Sequence, residues 1–271
     1  MTRAETARRP PGPDRPKGGP PMPGAMLLRR GRVHEICGPA RRTLALMQAG
    51  MSTGGGFGMR DPAGAGGSRG IEDTAGAPPV IWIAPAWGTE RLHAPGLARL
   101  VDPGRLVFVA CPRAEDVLWC AEEALREMAA AGIRATVVAE CTAPPGLTPV
   151  RRLHLAAGGL ETGGLGTGGL NVGGLNVGGA AGGAVATAGP GAPLGLLLTA
   201  GEGGAAGVES RWHIAPAHAP GRSAWRLERR RARGAGPAAW RLVAAPGRLW
   251  LEPATDDAPP PTEHAGTARA G

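Results

Sequence analysis

The sequence predicts an α/β fold with a mostly parallel sheet and a C-terminal antiparallel β-hairpin, interrupted by Gly-rich loops and flanked by disordered tails. Short, nearly continuous apolar runs recur between residues 80 and 199, and an amphipathic stretch sits between two of them. Beyond residue 209 the pattern changes to alternating large apolar and polar side chains. Continuous runs suit strands buried on both faces of a parallel sheet, whereas alternation suits strands with one wet face. A chain of 271 residues has room for one domain with a sizeable core plus tails.

Residues 1–30 are Pro, Gly and Arg with few large apolar side chains, so they do not offset their own ordering entropy and are expected to be a disordered leader. Val33-His34-Glu35-Ile36-Cys37-Gly38-Pro39-Ala40-Arg41-Arg42-Thr43-Leu44 then opens like the core of an ATPase. It lacks the GxxxxGK[ST] of a phosphate loop, whose lysine sits on the β and γ phosphates. No other lysine substitutes, because Lys17 in the leader is the only one in the chain. The domain is expected to span 31–252, with flexible insertions at 52–79 and 158–192 and a disordered tail at 253–271.

Within that domain Val80–Ala84, Arg105–Ala110, Ala135–Ala139 and Pro193–Thr199 are the apolar runs. A helix is expected from Ala114 to Ala131: Glu115 and Asp116 suit the positive end of its dipole, and Gly132 suits its C-terminal cap. Leu118, Ala121, Leu125 and Met128 form its core-facing stripe. Strand, helix and strand in that order make a right-handed crossover. The second insertion carries Gly158-Gly159-Leu160-Glu161-Thr162 and close copies through Val177, a unit too short for a helical or propeller repeat, and it reads as an expanded surface loop. Arg211–Ala215, Trp225–Arg229 and Trp240–Val243 are the alternating strands, with Gly234-Ala235-Gly236-Pro237 turning between the last two.

The formal charge of +8 is uneven. It gathers in the leader and in Arg222, Arg226, Arg229, Arg230, Arg231 and Arg233, which leaves the rest of the chain nearly neutral. That distribution suits a polyanionic partner such as DNA. By strict alternation Arg226 and Arg230 share one face of their strand, and Arg229, Arg231 and Arg233 share the other. Phosphate contacts need no sequence motif.

Other chemistry finds little support. Cys37, Cys111, Cys120 and Cys141 form no CxxC pair and sit in apolar runs, as reduced core residues of a cytoplasmic protein do. His213 and His218 have no Cys or carboxylate placed beside them, so a metal site is not expected. No nucleophile elbow is present, and Trp119, Trp212, Trp225 and Trp240 are expected in the core. Neither a signal peptide nor a membrane span is expected, since no apolar run is long enough.

The chain resembles the ImuA family, the RecA-like or SulA-like accessory proteins of bacterial translesion synthesis. The residues that carry the likeness are Val33-His34-Glu35 with Gly38-Pro39; Leu106–Val109; Asp116–Arg126 with Trp119; Leu147–Ala157 with Arg151-Arg152-Leu153; Gly195–Leu198; Glu209–Trp212; and Trp225–Glu228. The resemblance implies a truncated RecA-like core without catalytic activity or cofactor. Its implied partners are ImuB, an inactive Y-family polymerase homologue, and a DnaE-type error-prone polymerase, with DNA as a further contact. Gly38, Pro39, Arg41, Arg42 and Thr43 would then be a degenerate nucleotide loop, and Arg226, Arg229, Arg230, Arg231 and Arg233 the DNA- or partner-binding residues. Glu140 ends the strand where a RecA-like fold places its metal-binding carboxylate; without a phosphate loop it is expected to be solvated. An SOS-linked division inhibitor and a degenerate nucleotide binder are the alternatives.

Overall fold

The computed structural model describes residues 28–51, 77–158, 191–245 and 248–254. The glycine repeat, nearly all of the leader and tail, and most of both insertions therefore lie outside the described residues. The chain runs β1 (Val33–Cys37), α1 (Arg41–Met51), β2 (Val80–Pro85), α2 (Ala94–Ala98), β3 (Leu106–Cys111), α3 (Ala114–Ala130), β4 (Thr136–Glu140), α4 (Leu147–Gly158) and β5 (Leu194–Thr199). It continues as β6 (Ser210–Pro216), β7 (Ser223–Ala232), β8 (Ala238–Ala245) and β9 (Arg248–Pro253).

The nine strands among the described residues form one sheet in the order β3-β2-β4-β5-β1-β6-β7-β8-β9. The six from β3 to β6 run parallel, and β7, β8 and β9 continue antiparallel. The expected hairpin is thus β7 and β8 within a longer meander. β9 pairs with β8 across Arg248–Pro253, where the sequence shows only one short run ahead of a Pro-rich tail.

Alternation along the central strands builds two cores. Leu196 and Leu198 face α1 with Trp82, Val138, Trp212 and Ile214. Leu197 points the other way, toward α3 and α4, with Ile83, Val137, Leu125 and Leu153. α3 lies where it is expected, and its end is a Schellman turn: Gly132 N donates to Ala129 O, Ile133 N donates to Met128 O, and Gly132 has φ of +65°. Its buried apolar stripe is Val117, Ala121 and Leu125: Ala121 and Leu125 are as expected, Val117 takes the place of Leu118, and Leu118 and Met128 are half-buried.

β3 corrects the expectation that every apolar run is covered. It is an outermost strand, and Phe108 is 61% exposed and Val107 53% exposed. Trp119 on α3, expected in the core, is 60% exposed. An apolar run says that a strand is apolar; its place in the sheet follows from the crossovers.

A polar chain threads β1. Trp212 Nε1 donates to Ser210 Oγ at 2.8 Å, and Ser210 Oγ lies 2.6 Å from His34 Nδ1. His34 Nε2 lies 3.0 Å from Arg29 O and must donate to that carbonyl, so Nδ1 accepts and the ring is neutral. Burial pushes the His34 pKa down to about 4, against the opposing pull of the Arg29 carbonyl and Glu209. The unfolded chain therefore takes up a proton near 6.5 that the fold refuses until about 4. Stability is full above the upper value and falls as pH drops through this window, by about 1.4 kcal/mol per pH unit and about 3 kcal/mol in all. Urea unfolding between pH 7 and pH 4 is expected to show this slope, and His34→Gln to remove it.

Candidate functional site

In open α/β sheets, ligands bind beyond the carboxyl ends of the parallel strands. Here that edge holds the ends of β1, β4 and β5, and each carries a polar group. β1 passes to α1 through Gly38, Pro39 and Ala40 alone, too few residues to wrap a phosphate in backbone N–H groups. Two of the amides at this passage are also engaged: Ala40 N donates to Ile214 O at 3.2 Å, and Arg41 N to Gly38 O at 3.3 Å. Pro39 is exposed and has no N–H, and Thr43 is half-buried in the first turn of α1.

The two arginines that open α1 turn toward carboxylates. Arg42 donates from Nε to Glu140 Oε1 at 3.0 Å and from Nη2 to Glu140 Oε2 at 2.5 Å, a two-pronged ion pair. Trp82 Nε1 donates to Glu140 Oε1 at 2.7 Å. Glu90 lies 2.5 Å from Arg42 and 3.9 Å from Arg41. Glu140 is therefore held rather than solvated, which corrects the expectation: its side chain keeps only 14% of its exposure. The hydrogen bonds that Arg42 donates to Glu140 and the charges of both glutamates raise the Arg42 pKa above its ordinary value against the opposing effect of burial.

The second polar cluster was not singled out by the sequence reading. Glu35 in the middle of β1 is completely buried. It accepts from Thr199 Oγ1 at 2.7 Å, Gly204 N at 2.8 Å, Ala205 N at 3.0 Å and Arg211 Nε at 2.5 Å. The signal was a carboxylate inside an otherwise apolar strand, a group that stays charged in a core only with a complete set of partners.

The arginine strand is rearranged by a β-bulge. Trp212 of β6 pairs with Arg229 of β7, but the preceding Arg211 pairs with Arg231, so Arg230 is an extra residue. Beyond the bulge the alternation is shifted by one, and Arg231 shares a face with Arg211 and Arg230 instead of with Arg229. Arg229 is alone on the α1 side, its guanidinium 5.3 Å from the Trp240 ring centre and 5.9 Å from that of Trp212. On the α4 side Arg226 and Arg230 share Glu228, at 2.7 and 3.2 Å. Arg230 also pairs with Glu202, and Arg233 lies 3.8 Å from Glu209. The five arginines thus do not make one patch, and four of them are engaged by acidic or aromatic groups.

The remaining candidates separate. His213 packs over Gly38, while His218 Nδ1 accepts from Ala224 N at 3.1 Å and its ring meets Trp225 edge to face. No group of three or more His, Cys, Asp or Glu placed to hold a metal ion occurs among the described residues. All four cysteines are free, yet Cys111 at the end of β3 and Cys120 on α3 bring their sulfurs to 3.7 Å. Burial raises the Cys111 thiol to about 11, which keeps it protonated at neutral pH. No helix among the described residues is long and apolar enough to cross a membrane.

No family model matches the chain, and no curated protein matches it.

Proposed function

We propose that the chain is a non-catalytic RecA-like accessory protein of translesion DNA synthesis that works by binding an ImuB-like Y-family polymerase homologue and a DnaE-type polymerase. One observation carries the reading: at the edge where a RecA-like ATPase would hold nucleotide, a three-residue connection and the Arg42–Glu140 ion pair stand in its place. The α/β architecture, a mostly parallel sheet continued by antiparallel strands, is consistent with a RecA-like core. With loop and carboxylate tied to each other, what is left for the fold to do is to present surfaces.

Recovery of tagged protein from cells after DNA damage tests this. The expected result is co-recovery of the polymerase homologue and the accessory polymerase, reduced when Arg226, Arg229, Arg230 and Arg231 are changed together to alanine. Recovery of division proteins instead would overturn it in favour of a division inhibitor. In parallel, magnesium and ATP are expected to leave the melting temperature unchanged. A ligand that bound at a hundred times its Kd would add about 2.7 kcal/mol, a rise easily seen.

A further inference from the structure

A cleft of about 360 Å³ opens between α4, the segment leading into β6 and the end of β7. It is lined by Arg32, Leu147, Arg151, His154, Glu209 and Arg233, with Gly207. At its floor Glu209 lies 3.8 Å from Arg32, 3.8 Å from Arg233 and 3.7 Å from Arg29. One carboxylate thus meets three guanidiniums, and exposed Arg151 adds a fourth cation above it. His154 brings no charge: Nδ1 accepts from Val33 N and Nε2 donates to Gly207 O, both at 3.2 Å. The cleft is strongly positive.

Its rim is apolar at Leu147, and the outer face of α4 carries the apolar surface on past the cleft to Leu155. Leu147 is 62% exposed and Leu155 is 58% exposed. Four residues apart on either side of Arg151, they make a Leu-Arg-Leu row along the outer side of α4. Large exposed apolar side chains beside unspent positive charge mark a surface built to be covered.

We infer that this cleft docks a peptide segment in which acidic residues alternate with large apolar ones. Its carboxylates pair with Arg32, Arg151 and Arg233, and its apolar side chains cover Leu147 and Leu155. A DNA backbone fits less well. No aromatic side chain lines the cleft for base stacking. A phosphodiester chain would bring its charge against the Glu209 carboxylate and offers nothing apolar to cover Leu147. The inference rests on the reading of this chain as a binding scaffold and names the chemistry of the partner at one surface.

The test is selection of peptides from a displayed random library on the immobilised full chain. Selected peptides are expected to be rich in Asp and Glu spaced with Leu, Phe or Met. Arg151→Glu with Arg233→Glu is expected to weaken them by about tenfold or more, and Leu147→Ala with Leu155→Ala by several-fold. All four side chains are exposed, but Arg233→Glu sets a carboxylate beside Glu209, so melting is measured for both variants and Arg151→Ala with Arg233→Ala replaces the charge reversal if that variant is destabilised. Peptides without the acidic and apolar pattern, or binding both variants unchanged, would overturn the inference. So would an oligodeoxythymidylate whose binding falls with the arginines and ignores the leucines, since that describes a phosphate site. If the cleft fails while the polymerase homologue is still recovered from cells, the contact lies on another surface and the scaffold reading stands.

Discussion

Replacing Glu35 with alanine is expected to cost the fold about 3–5 kcal/mol, the range for breaking a buried ion pair by removing one partner. The carboxylate is fully buried and is the common acceptor for Thr199, Gly204, Ala205 and Arg211. Its loss leaves two amides, a hydroxyl and a mostly buried guanidinium without their acceptor; only Arg211 Nη2 keeps a bond, to Ala205 O at 2.9 Å. The pH dependence follows from the same contacts. Burial would raise the Glu35 pKa, but Arg211, the two amides and Thr199 together pull it below its ordinary 4.5. A carboxyl depressed in the fold contributes stability that is present above 4.5 and is lost as pH falls through the lower, folded value. Urea midpoints measured downward from pH 6 should therefore fall less steeply below 4.5 in the alanine variant than in the parent. Equal steepness would mean that Glu35 is not the acid-labile group.

Gly38→Ala is expected to destabilise the chain by about 3 kcal/mol or more, through two costs that add. The residue holds φ at +92°, where a side chain strains the backbone. An added Cβ would also lie 2.6 Å from Ile214 O and 2.7 Å from the His213 ring, against a strand that cannot move without breaking its pairing with β1. Gly132→Ala separates the two costs. Its φ of +65° is similarly strained, but nothing lies within 4 Å of the added atom, so about 1 kcal/mol is expected there. A Gly38 variant no worse than the Gly132 one would show that β6 yields at this contact.

The sequence made the parallel half of the sheet readable because β2, β4 and β5 are buried on both faces and carry no polar interruption. α3 was readable from its charges and its terminal glycine. α4 was harder: Pro149 falls within its first turn, where proline is tolerated, but a breaker there hides the start. The bulge at Arg230 leaves no mark in composition. It moves Arg231 and Arg233 to the face opposite the one that strict alternation assigns. At the candidate site the nucleotide loop was visibly altered, yet its partner was not visible, since Arg42 and Glu140 meet across 98 residues of intervening chain. The cleft around Glu209 is further from sequence reading still. Its lining comes from the chain before β1, from α4, from the approach to β6 and from the end of β7; Arg233 and the Arg151 and Glu209 stretches were singled out separately, and nothing in the sequence says that they meet.

The outer rim of β3 governs how the molecule behaves in concentrated solution. Among the described residues no strand pairs with its outer backbone groups beside Phe108 and Val107, and no lysine or proline within Leu106–Cys111 blunts it. The surplus of +8 opposes edge-to-edge pairing of copies, a repulsion that 0.15 M salt confines to about 8 Å. Solubility should thus shrink as ionic strength rises, the reverse of salting-in, and low-salt buffers are the natural choice for handling the protein.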